Sequence, residues 1–137
     1  MKFIYAILFA SLLFSCSKDK RTVIGKDWQA ISIRVHSDSA LQYLDSARFK
    51  LKFGGLNLAG KRSYVFKIGS NTSYGKVKFR SKNSISFDNR LITLAGWDSK
   101  FPANTFDIFL NMKQHNATGE SLTLMDNSGG LINFKKQ

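Results

Sequence analysis

Residues 47–53 limit the fold more than any other stretch of the chain. Phe49, Leu51 and Phe53 alternate strictly with Arg48, Lys50 and Lys52. A period of two belongs to a β-strand with one buried face and one wet face. The same pattern returns in 63–68, where Tyr64, Phe66 and Ile68 oppose Val65 and Lys67. In 75–80, Val77 and Phe79 oppose Lys76, Lys78 and Arg80. Residues 28–35 place Ile31, Ile33 and Val35 on one face. Short strands are also expected at 84–87 and 91–94, interrupted by Asp88-Asn89. Residues 121–126 and 131–135 flank Asn127-Ser128-Gly129-Gly130, which has the composition of a hairpin turn.

Helical signals are fewer. Phe106, Phe109, Leu110 and Lys113 share one face at i, i+3, i+4 and i+7, with Asn104 or Thr105 able to cap the start and Asn116 the end. This spacing predicts a helix over 104–115, and residues 38–45 suggest one or two further helical turns. Many short strands, frequent turns and one helix near the C-terminal third predict a mainly β fold, a small antiparallel barrel that is closed or nearly so. A chain of 137 residues has room for one ordinary domain, expected over 27–137.

The first residues read as an address. Lys2 precedes an apolar run over 3–14, which suits the h-region of a secretory signal and falls short of the ~20 residues of a spanning helix. Leu13-Phe14-Ser15-Cys16 resembles a bacterial lipobox, with Cys16 the only cysteine of the chain. The resemblance implies a signal peptide over 1–15, cleavage before Cys16, and acylation of that residue. Residues 16–26 would then be a lipidated cysteine and its polar tether. Ser17 resembles the pattern of outer-membrane residents, and Lys18-Asp19 resembles a surface-export tether. The expected location is a bacterial cell envelope, with the periplasmic and surface sides both open.

Beyond the tether, Gly25-Lys26-Asp27-Trp28 and the strand after it resemble the opening of the META domain family, which includes heat shock protein HslJ. Gly69-Ser70-Asn71 with Gly75 is similar to the G-C-N turn of that family, Ser70 replacing its cysteine. Residues 84–96, the helix from Asn104, and Gly119-Glu120-Ser121-Leu122-Thr123-Leu124 with Gly130-Leu131-Ile132-Asn133-Phe134 follow in the family's order. Both characteristic cysteines are absent, and residues 61–64 depart from the pattern, so a lipocalin-like barrel is the alternative. The resemblance implies a mainly β, barrel-like domain with no catalytic residues to carry over.

The charge is uneven. The chain carries a formal +12, and residues 47–82 hold ten basic residues and no acidic one. Alternation puts Arg48, Lys50, Lys52, Lys67, Lys76, Lys78 and Arg80 opposite the apolar rows. If those rows face the interior, the cations face outward together. Such a face suits anionic lipid, lipopolysaccharide phosphates or an acidic envelope protein; the competing explanation is lysines guarding exposed strand edges. Nucleic acid, the usual partner of a basic chain, is not expected for an exported protein without a recognition motif.

Other residues carry less. His36 and His115 are expected at the surface or at caps, with no metal or other cofactor. Asp88, Asp98 and Asp107 are expected at turns or a helix start, and no nucleophile motif is present, so no enzymatic role is expected. Trp28, Trp97 and Phe101 could line a ligand pocket or close a barrel end. Asp38-Ser39-Ala40 and Asp45-Ser46-Ala47 resemble a short O-glycosylation sequence of envelope proteins, which makes Ser39 and Ser46 candidate acceptors. The expected function is a non-enzymatic lipid-anchored protein whose basic outer face docks on anionic membrane components or an acidic partner. A carrier holding a small apolar ligand inside the barrel is the alternative.

Overall fold

The computed structural model describes residues 23–56, 62–80, 83–93, 95 and 105–137. The expected signal segment, Cys16, most of the tether, Trp97 and Phe101 lie outside the described residues. Nine strands run in chain order: β1 (Asp27–Arg34), β2 (Gln42–Tyr43), β3 (Phe49–Leu56), β4 (Arg62–Ile68), β5 (Asn71–Phe79), β6 (Ile85–Ile92), β7 (Gln114–Ala117), β8 (Ser121–Met125) and β9 (Leu131–Lys136). Among the described residues one short helix, α1 (Thr105–Leu110), lies between β6 and β7 in the chain, and a 3-10 turn at Ser46–Arg48 precedes β3.

All strand pairs are antiparallel, in the order β6-β5-β4-β3-β1-β9-β8-β7, with β2 a short addition to β1. The two ends of that path meet through a bridge between Ser84 and Gln114. Ile85 N–H donates to the Lys113 carbonyl at 2.9 Å, and His115 N–H donates to the Asn83 carbonyl at 2.8 Å. With β2 set aside, the strands therefore follow one another around a ring in chain order. This is an up-and-down barrel, nearly closed, its last seam made by a few bonds beside α1.

The inward rows are those the alternation marks on β3 and β4: Phe49, Leu51 and Phe53, then Tyr64, Phe66 and Ile68, all essentially fully buried. From α1, Phe106 and Phe109 reach this interior. Phe109 lies 4.4 Å from Phe66 and 4.4 Å from Phe87 between ring centroids, and 5.5 Å from Tyr64. Tilted and edge-on rings at these separations are the favoured aromatic geometries. Among them the buried Tyr64 hydroxyl hydrogen-bonds with Ser73 Oγ at 3.2 Å.

Several expected elements are corrected. The helix expected over 104–115 stops at Leu110, because Gln114–Ala117 must pair with β8 to complete the ring; Gln114 faces Met125 and Ala117 faces Leu122. Residues 38–45 form the short strand β2 within a loop rather than helical turns. Asp88-Asn89 does not interrupt β6, which runs through from Ile85 to Ile92. On β1 a bulge between Ala30 and Ser32 shifts the phase. Trp28, Ala30 and Ile33 are therefore fully buried, while Ile31 and Val35 are only half-buried.

The tether boundary also moves. Val23 is fully buried and packs with the core. Its carbonyl accepts the Trp28 indole N–H at 2.9 Å, and Gly25 N–H donates to the Phe53 carbonyl at 3.2 Å. Gly25 makes this fold-back at φ +76°, a conformation that favours glycine. Residues 23–26, expected to be tether, thus belong to the domain. Residues 23–137 carry the whole ring of strands and its core, as an independently folding unit requires.

Candidate functional site

The basic rows lie on neighbouring strands and face outward. Lys50, Lys52 and Lys67 are exposed, Arg48, Lys76 and Lys78 are half-buried, and Arg80 is exposed just past the end of β5. Strand register sorts them into rungs. Lys135 of β9 lies opposite Gln29 of β1, Gln29 opposite Lys50 of β3, and Lys50 opposite Lys67 of β4. Three cations therefore share one rung across four strands, two of them directly opposed. Like charges placed directly opposite destabilise a sheet. Among the described residues no carboxylate forms an ion pair with Lys50, Lys67 or Lys135.

Other members of the basic set are neutralised. Lys52 Nζ lies 3.1 Å from Asp27, its cross-strand neighbour. Lys78 Nζ lies 2.8 Å from Asp88 on β6. Asp88, expected in a turn, is thus mid-strand and serves as a counter-ion. Both pairs are about half exposed, so each contributes little to stability, ~0–1 kcal/mol. Lys50, Lys52 and Lys67 with Asp27, Val65 and Gln137 border a shallow groove of about 250 Å³ on the outer wall. The sequence reading missed Lys135, because only the β1–β9 pairing brings it onto the rung.

Edge protection does not account for this placement. β3 is paired to β1 and β4, β4 to β3 and β5, and β5 to β4 and β6. These lysines stand in the middle of the sheet, where no unpaired backbone needs a guard.

The aromatic candidates part company. Trp28 is fully buried, its indole N–H held by Val23, so it is packed core and not the wall of an open pocket. His115, expected at the surface or at a cap, is buried on β7, edge-on to Phe79 at 5.2 Å. His36 is exposed. Among the described residues no three of His, Cys, Asp or Glu come together as a metal site. Ser39 is half-buried in the loop between β1 and β2, and Ser46 begins the 3-10 turn.

A second concavity of about 480 Å³ opens at one barrel mouth, bordered by His36, Asp107, Lys113, Asp126 and Ser128 among others. His36 Nδ1 and Ser128 Oγ are 3.5 Å apart, while Ser128 Oγ donates to both oxygens of Asp126 at 2.9 Å. The serine thus sits between the histidine and the acid. A relay for nucleophilic attack needs the histidine in the middle. Asp126 also accepts the N–H groups of Ser128 and Gly130, each at 2.8 Å, which is the work of a turn carboxylate.

The geometry defines the chain as a small up-and-down β-barrel with a basic outer wall. No family model matches it, and no curated protein matches it. Among solved structures it is similar to the NMR structure of a protein from Burkholderia xenovorans, at 13% sequence identity and a TM-score of 0.65, over 85% of each chain. That likeness supports the barrel fold.

Proposed function

We propose that this chain is a non-enzymatic, lipid-anchored protein of a bacterial cell envelope whose barrel docks on anionic membrane components through the outer wall of β3, β4 and β5. The anchor would be acylated Cys16. The domain would be META-like, a reading supported by the order of motifs from Gly25 to Lys135. The observation that carries the docking role is the directly opposed pair Lys50 and Lys67, held on fully paired strands without counter-ions among the described residues. Opposing cations cost the fold stability, and an anionic surface offsets that cost. At ~1 kcal/mol per cation near an anionic surface, these two supply about 2 kcal/mol, on the order of thirtyfold in partition. Lys76 and Arg80 extend the same face.

The test uses residues 17–137, free of the anchor, and flotation with vesicles of phosphatidylglycerol and phosphatidylcholine. Lys50→Glu with Lys67→Glu is expected to lower partition at least a hundredfold while leaving the circular dichroism spectrum unchanged. Equal binding by parent and variant would reject the role, as would a parent that does not bind.

The lipocalin-like alternative, a carrier of an apolar ligand, draws support from the chain-order ring of strands. The packing of Phe109 against Phe66, Phe87 and Tyr64 in the interior weighs against it.

A further inference from the structure

The outer wall carries apolar side chains as well as lysines, and the register lines them up. Val65 of β4 lies opposite Tyr74 of β5, and Tyr74 lies opposite Leu91 of β6. They are 38%, 41% and 59% exposed. Three large apolar residues on adjacent strands form a continuous outward stripe roughly 10 Å long at the usual strand spacing. Single exposed apolar residues are ordinary; a contiguous rung of them marks an interaction surface.

The surroundings of the stripe define its partner. Lys50 and Lys67 hold the next rung on one side. On the other, Lys76 lies opposite Ser63, one outward step beyond Val65 and Tyr74. Apolar side chains with a tyrosine among them, flanked by lysines, match the boundary of an anionic bilayer. There the ammonium groups reach phosphates, and aliphatic and phenolic groups enter the region between headgroups and acyl chains. An acidic protein surface would satisfy the lysines and leave the stripe without a partner.

The length of the expected tether fits the same face. Asp27, the first residue of β1, stands on this same rung through Lys52, which lies opposite both Asp27 and Val65. β1 therefore begins level with the stripe, about 15 Å from Tyr74 at three strand spacings, and the chain reaches it from the buried Val23 by the fold-back at Gly25. Six residues lie between Cys16 and the buried Val23, and those seven steps could reach up to about 25 Å if fully extended. An acyl group on Cys16 would hold this wall within reach of the bilayer.

We infer that Val65, Tyr74 and Leu91 insert into the interfacial region of an anionic bilayer, making the basic wall a shallow insertion surface and not only an electrostatic one. This inference rests on the docking role proposed above. The test uses residues 17–137 carrying a single cysteine at Tyr74, Leu91 or Ser121, labelled with an environment-sensitive dye. Ser121 lies on β8, four strands around the ring from β4. With phosphatidylglycerol-containing vesicles the labels at 74 and 91 should shift to the blue and resist an aqueous quencher, while the label at 121 should not. Leu91→Ser should lower partition about tenfold, and its effect should persist at high salt.

Co-flotation with unshifted labels at 74 and 91 would leave electrostatic docking standing and overturn insertion. A parent that ignores the vesicles would overturn both. A blue shift at 121 equal to that at 91 would overturn the proposed face. Sedimentation as a dimer that Leu91→Ser dissociates would assign the stripe to a second copy of the chain and overturn the bilayer.

Discussion

Truncating Phe109 tests whether the barrel is filled. The side chain is fully buried, and its ring packs against Phe66 and Phe87 at 4.4 Å each and against Tyr64 at 5.5 Å. Phe109→Ala removes the ring and leaves a cavity that rigid neighbouring strands can only partly collapse. The expected loss is ~4 kcal/mol, out of a total of roughly 5–15 for an ordinary domain. At about 4 °C per kcal/mol for a domain of this size, the melting temperature should fall by roughly 15 °C. Urea unfolding followed by circular dichroism measures this on residues 17–137. Phe109→Leu, which keeps most of the volume, should cost under ~1.5 kcal/mol and gives a reading if the alanine variant fails to fold. The new cavity should also bind a small aromatic such as toluene, which would recover part of the lost stability. A loss below ~1 kcal/mol, with toluene already stabilising the parent, would show an interior open around Phe109. That result would refute the packing argument and favour a carrier.

Three further outcomes are expected. Gly129 sits at φ +83°, where an added Cβ would lie 2.7 Å from Ser37 Cβ, so Gly129→Ala should destabilise by about 1–3 kcal/mol in the same urea assay. A double-mutant cycle on Lys78 and Asp88 should return a coupling of no more than ~1 kcal/mol that fades in high salt, since both side chains are nearly half exposed. If the sequences around Ser39 and Ser46 are glycosylated, intact-mass measurement of the native protein will show added hexose that Ser39→Ala with Ser46→Ala removes; a mass without hexose dismisses the modification.

The strands whose two faces differ most were the easiest to read from sequence. On β3 and β4 every second residue is large and apolar, and the structure buries those residues. The 126–130 turn was equally plain, because Asp126, Gly129 and Gly130 each have a local job in it. Where local pattern and closure of the ring compete, closure wins: the helical spacing reaches Lys113, yet β7 takes over at Gln114 because β8 needs a partner. The bulge on β1 was hidden because Ile31, Ile33 and Val35 satisfy either phase. The basic candidates were legible as a set, but their balance was not. Asp27 and Asp88 neutralise two of them from other strands, and Lys135 joins from the far end of the chain. The stripe of Val65, Tyr74 and Leu91 draws on three strands, so no single segment of sequence displays it.

The central claim is that the barrel wall itself, without an acyl chain, recognises negative charge on a membrane. Its most direct measurement is the partition coefficient of residues 17–137 as the phosphatidylglycerol fraction of the vesicles rises from zero, at low and at high salt. The account predicts negligible binding to neutral vesicles, a steep rise with anionic lipid, and a marked weakening in salt. Binding that is equally strong on neutral vesicles, or absent at every composition, would contradict it.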